Sequence, residues 1–149
     1  MDNLQVTEVK LTYRNKLKAS ERPKVLSSKE SYQILLKAFD AGTVELFESM
    51  KVMLLSNANR VLGIMDVSNG GISQTVVDVR LIMQSALLAK ASGIILAHNH
   101  PDGALIPSAM DTAATHRIKK ACEVLDIKLL DHIIITPESY YSYADEGMI

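Results

Sequence analysis

The sequence predicts an α/β fold, a sheet of short strands covered by helices, on three observations. Apolar or alternating runs of strand length are separated by segments whose apolar residues recur at helical spacing. One run, Ile94-Ile95-Leu96-Ala97, has no polar residue and reads as a central strand buried on both faces. It delivers His98 at its carboxyl end, where open α/β sheets keep their sites.

In chain order, Val6 to Tyr13 alternates apolar and polar residues with some slippage, as expected of a half-buried strand near a sheet edge. Residues 1–26 as a whole read as a strand-and-loop extension, and the basic stretch Arg14 to Lys24 as a solvated loop. Ser27-Ser28-Lys29-Glu30 is a capping-box pattern ahead of Tyr32, Leu35, Leu36 and Phe39, so a helix starts there and ends near Gly42. Met50 to Leu55 and Arg60 to Val67 flank the turn Asn57-Ala58-Asn59 and make a hairpin, closed off by a second turn at Ser68-Asn69-Gly70-Gly71. Ile72 to Val77 leads to Asp78, the N-cap of a helix carrying Leu81, Ile82, Ser85, Leu88 and Ala89, with Gly93 as its stop. Ser108 starts a last helix running to about Leu125. Ile127 to Leu130 and Ile133 to Thr136 read as two short strands parted by Asp131-His132, and the tail, with three of the five tyrosines, docks on the core.

Bulk properties narrow the function classes. The 149 residues suit one domain with one core. Sixteen Lys and Arg against 17 Asp and Glu give a formal net charge of -1, so nothing global advertises nucleic-acid binding. Met1-Asp2-Asn3-Leu4 begins no leader pattern, and no apolar run approaches the ~18 residues of a membrane span, which points to a cytoplasmic protein. The lone Cys122 falls on an apolar helical stripe and reads as buried filler.

The chemistry gathers in the stretch from His98 to Asp111. Residues two apart in an extended segment point to one side, so His98 and His100 present their rings to one point from Cα atoms roughly 7 Å apart. Past ten intervening residues, with Ser108 as N-cap, Asp111 falls in the first helical turn, where the dipole keeps it ionised. Two imidazoles and a carboxylate are the open ligand set of a catalytic zinc, one per chain, which brings the pKa of water to about 7. A carboxylate outside the ligand set is then needed to move the proton; Glu45 and Glu48 are candidates, Glu48 being nearer the strand that follows. His116 reads as an exposed helix position and His132 as a strand-end residue, or as a partner of Asp131 behind the metal.

The pattern Glu48, His98-x-His100, ten residues, Asp111, with Ser108 three before the aspartate, resembles the JAMM (MPN+) metalloprotease motif. The wording His98-Asn99-His100-Pro101 and Pro107-Ser108-x-x-Asp111, with Leu130-Asp131-His132-Ile133-Ile134-Ile135 further on, is similar to its bacterial RadC branch. The resemblance implies a three-layer mixed sheet flanked by helices, of the cytidine-deaminase-like JAB/MPN type. It implies zinc on His98, His100 and Asp111, Glu48 rather than Glu45 as general base and later acid, and Ser108 as hydrogen-bond donor to an oxyanion. Where RadC sequences usually read His-Asn-His-Pro-Ser-Gly, this chain has Asp102 for the serine, which adds a negative charge beside the metal loop. The expectation from 149 residues is a single domain of this type, without the N-terminal helix-hairpin-helix domain of longer RadC proteins.

The expectation is therefore a zinc hydrolase of peptide or isopeptide amides acting on a peptide or protein substrate. The alternative is a DNA-repair-associated accessory that processes or binds DNA, for which the Arg14 to Lys24 loop would be the contact. A homo-oligomer is compatible with either.

Overall fold

The computed structural model describes residues 6–71 and 77–149. The opening Met1 to Leu4 and the lead-in from Ile72 to Val76 lie outside the described residues. The architecture is a five-stranded mixed sheet between helical layers, as the α/β reading requires. Its strands are β1 (Glu48–Leu55), β2 (Val61–Gly71), β3 (Gly93–Asn99), β4 (Lys128–Ile135) and β5 (Tyr140–Ser142), in spatial order β2-β1-β3-β4-β5. Only β3 and β4 run parallel, joined through a helix; the other neighbours are antiparallel.

One face of the sheet is covered by α1 (Ser28–Leu36) and the turns after it, through Leu35, Phe39 and Val44 against Met53, Leu55, Ile95, Ala97, Ile133 and Ile135. The other is covered by α2 (Val79–Leu88) and α3 (Ala109–Val124), through Ile82, Met83, Ala86, Ile118 and Cys122 against Met50, Val52, Leu54, Ile94 and Leu96. The alternation along β3, Ile94 and Leu96 to one side and Ile95 and Ala97 to the other, puts every residue of that strand out of solvent. None of the helices among the described residues is long and apolar enough to cross a membrane.

Several boundaries differ from the sequence reading. Val6 to Tyr13 forms no strand: Val6, Val9 and Leu11 are about four-fifths exposed (78%, 84% and 82%), and the segment is tied to β2 only at its end, by Tyr13 and Asn15 side chains donating to the Leu62 carbonyl. An alternating pattern needs an apolar surface to lie on, and none is offered there. The first helix stops at Leu36, and the chain reaches β1 through turns. Ser27 accepts from the Glu30 N–H as an N-cap should, whereas Glu30 reaches past it to the Leu26 N–H.

Ser68 to Gly71 is no turn but the end of β2, because β1 extends to Glu48 and pairs Ser49 with Asn69 and Glu48 with Gly71. Gly93 does not stop α2. That helix ends at Leu88, with Lys90 in the left-handed region at φ 53°. Gly93 instead opens β3, where a Cβ would stand 3.0 Å from Leu130 Cδ1. The two strands expected on either side of Asp131-His132 are one strand, β4, since both polar residues are buried with partners. Asp131 accepts from the Ser142 hydroxyl at 2.6 Å, from the Ala144 N–H at 3.0 Å and from its neighbour's N–H at 2.7 Å. The tail docks as expected, β5 on β4 and Tyr143 fully buried.

Candidate metal centre

β3 ends at Asn99, beside the amino terminus of α3, and the polar residues of both elements meet there. His98 is wholly buried on the α3 side of the sheet. His100, just past the strand, returns to the same side, and its Nε2 lies 3.0 Å from Nε2 of His98. Asp111 faces both rings, Oδ1 3.3 Å from His98 Nε2 and Oδ2 3.3 Å from His100 Nε2. Its carboxylate is oriented by a reciprocal capping box. The Ser108 hydroxyl accepts from the Asp111 N–H at 3.0 Å, and the Ser108 N–H donates to Asp111 Oδ2 at 2.8 Å.

Two local devices aim the His100 ring. Asp102 Oδ1 accepts from the Ala104 N–H, and the Gly103 N–H donates to the His100 carbonyl, with Gly103 at φ 79°, a conformation that suits a residue without Cβ. That turn brings the Ala104 carbonyl 2.7 Å from His100 Nδ1. A carbonyl only accepts, so Nδ1 carries a proton and the neutral ring keeps its lone pair on Nε2, directed at His98 and Asp111; a second proton, on Nε2, is what donates to the Asp111 carboxylate when no metal takes that place. Asp102, the departure from the RadC wording, is thus an exposed turn-former.

Glu48 is the first residue of β1 and is buried. Its carboxylate and the ligand atoms of His98, His100 and Asp111 all lie within 4.8 Å of one another, a group able to hold a metal ion. Burial raises the Glu48 pKa above the ordinary carboxylate range, with the nearby histidines opposing and the charges of Asp111 and Asp102 adding to it. Burial also works against the Asp111 carboxylate, but the bonds to His100 and His98 win and hold its pKa well below that range. The same bond to Asp111 raises the pKa of His100. Proton competition at this cluster is what three converging acceptors impose on one another.

Glu45, the rejected alternative, is exposed in the turns before β1. His116 is exposed on α3, as expected. His132 belongs to the site's surroundings, though not as a strand end and not through Asp131. Its ring lies on the opposite side of β4 from that carboxylate and meets His98, Nε2 to Nδ1 at 2.7 Å.

Two participants were given no role by the sequence. Asn99, between the histidines, points the other way and is wholly buried. Its amide donates to the Val44 and Phe47 carbonyls at 2.6 and 2.8 Å, and its oxygen accepts from the Ser49 N–H at 2.8 Å. It therefore clamps the chain on both sides of Glu48. Thr115, four residues after Asp111 on the same helical face, reaches His132 Nδ1 at 2.6 Å. The i, i+4 spacing from a candidate ligand was the available signal for Thr115, and the period-2 placement between candidate ligands for Asn99.

The family model described as RadC-like JAB domain matches residues 25–148. The chain belongs to the RadC-like JAB domain family. It is 45% identical over 125 residues to a UPF0758 protein of Flavobacterium johnsoniae, covering 84% of this chain and 53% of that one. A UPF0758 protein of Porphyromonas gingivalis is 46% identical over 103 residues (68% of this chain, 45% of the relative). One of Aquifex aeolicus is 36% identical over 128 residues (86% and 54%). The chain thus spans about half the length of the curated relatives it matches. The mixed three-layer sheet is the fold expected of a JAB domain, and the metal-competent cluster sits at the carboxyl end of its central strand.

Proposed function

We propose that this RadC-like domain is a zinc-dependent hydrolase of peptide or isopeptide amides. The observation that supports it is the convergence of the donors. Zn–N and Zn–O bonds of about 2.0–2.1 Å set tetrahedral edges of about 3.3–3.4 Å; His98 Nε2 and His100 Nε2 are 3.0 Å apart, and Asp111 offers Oδ1 3.3 Å from the first and Oδ2 3.3 Å from the second. With Glu48 included, ligand atoms of all four residues lie within 4.8 Å of one another, so the residues present are of the kind and at the range that zinc takes. Bound there, zinc supplies an electrophile that polarises a carbonyl and brings the pKa of water to about 7.

The chain's own groups do the rest. Glu48 takes the proton from the attacking water and returns it to the leaving amine; burial raises its pKa, which makes it a stronger proton acceptor than an exposed carboxylate. Asn99 keeps Glu48 in place by holding the backbone before and after it. Ser108 uses its oxygen lone pair for the cap, so its hydroxyl proton is free to donate to the oxyanion of the tetrahedral intermediate, a contribution of about 3 kcal/mol when well aimed.

A DNA-processing role finds less support. The basic segment Arg14 to Lys24 meets the sheet at the Lys24–Arg60 bridge, the hairpin end of β1. That is about 23 Å from Glu48 at 3.3 Å per residue.

The test is metal analysis of native and His98→Ala protein after reconstitution, followed by incubation of native and Glu48→Gln protein with peptide, isopeptide and single- and double-stranded DNA substrates. One equivalent of zinc in the native protein alone, and amide cleavage lost in Glu48→Gln, are expected. Less than a tenth of an equivalent in both, or metal-dependent DNA cleavage without amide cleavage, overturns the reading.

A further inference from the structure

We propose that Thr115 and His132 are positioning residues that set the tautomer of His98, so that its Nε2 lone pair is presented to the metal. The inference rests on the metal-site reading above and deepens it.

The starting point is the backbone carbonyl of Asp111, which can only accept. Thr115 Oγ1 lies 2.7 Å from it, one helical turn on, and spends its single proton there. His132 Nδ1 is 2.6 Å from the same hydroxyl oxygen. Two lone pairs at that distance repel, so Nδ1 must be the donor. The His132 ring is wholly buried, lies against the Tyr143 ring at 5.0 Å between centroids and 9° between planes, and no carboxylate among the described residues bonds to it. A wholly buried ring whose nitrogens meet only a hydroxyl oxygen and another imidazole has no anion to offset a charge, and is neutral.

A neutral ring protonated on Nδ1 has a bare Nε2, and His132 Nε2 stands 2.7 Å from His98 Nδ1. His98 must then donate through Nδ1, which leaves its own lone pair on Nε2, the atom facing His100 and Asp111. The chain of bonds runs Asp111 carbonyl, Thr115, His132, His98, and ends at the His98 Nε2 lone pair, which faces the Asp111 carboxylate. The helix that supplies one ligand thereby also dictates which nitrogen of another ligand is free.

Thr115→Val keeps the shape and removes the hydroxyl. His132 Nδ1–H then loses its acceptor, and the ring gains by moving the proton to Nε2, where it opposes His98 Nδ1–H and drives His98 to the tautomer with a blocked Nε2. Zinc affinity, read by competition with a chromogenic chelator, is expected to fall about 10- to 100-fold in Thr115→Val and to return close to the native value in Thr115→Ser. Ring nitrogen-15 spectra of the metal-free protein at mildly alkaline pH should show His98 and His132 protonated on Nδ1 in the native and Thr115→Ser proteins, and a changed tautomer in Thr115→Val. A structural role alone would leave those shifts unmoved.

Equal zinc affinity in Thr115→Val, or a native spectrum with His98 protonated on Nε2, overturns the proposal. If Thr115→Val does not fold, the native spectrum decides it. Native protein that binds no zinc but shows the expected tautomers would sink the metal-site reading and leave the relay standing.

Discussion

His98 and Asn99 are neighbours in sequence, both wholly buried at the end of β3, and they point to opposite sides of the sheet. Asn99 is closed: its two donors and its acceptor oxygen all end on Val44, Phe47 and Ser49. His98 is open: one nitrogen is committed to His132, and the other converges with acceptors of His100 and Asp111. A buried polar group with every valence used specifies structure. One with a valence aimed at other acceptors needs a cation or a proton to be at rest.

The largest effect should come from supplying what the open side wants. At zinc a thousandfold above its dissociation constant, native protein should gain about 4 kcal/mol of stability against the chelator-treated form. His98→Ala should show no zinc-dependent shift; thermal melting with and without chelator measures both. Next, Asn99→Ala breaks the closed side. It leaves two carbonyls and an N–H without their partner in a buried place, so a loss of about 3 kcal/mol in urea unfolding is expected, in metal-free protein as much as in loaded protein.

A subtler contrast sets Asp131 beside Asn99 as a second closed group. Burial raises the Asp131 pKa despite its three donors. The native state therefore holds that proton more tightly than the unfolded chain. The associated stability is full below the ordinary carboxyl pKa and is lost as pH rises through the raised value. Asp131→Asn can accept both N–H groups on Oδ1 and donate to Ser142, so its stability should lack that decline. Urea midpoints of both proteins between about pH 4 and 7 would show the native curve falling relative to the variant; parallel curves would contradict it. The smallest effect concerns Cys122, whose thiol burial pushes up to about 11. It should resist thiol reagents at neutral pH in the folded protein and react at once in denaturant, without change in zinc content.

Much of the architecture was legible because local patterns and burial agreed. The apolar Ile94 to Ala97 run, the Asp78 and Ser108 caps and the hairpin around Asn57 to Asn59 are all where hydrophobic period and capping chemistry place them. The errors lie where a local pattern met tertiary partners. The alternation of Val6 to Tyr13 had no surface to cover, the glycines at 70 and 71 were drawn into β2 by the length of β1, and Asp131-His132 passed for a break because their partners come from β5, α3 and β3.

The spacing of His98, His100, Ser108 and Asp111 determined by itself that a strand end and a helix start would gather metal-ligating groups, because the periods of strand and helix dictate which side chains share a face. Spacing did not dictate that Glu48 joins them, although the resemblance implied it; the tertiary structure brings it there, since β1 and β3 must pair antiparallel to bring residues fifty positions apart together. It likewise placed His132 and Thr115 behind His98, where hydrogen-bond direction, a property of contacts and not of composition, determines which nitrogen remains free.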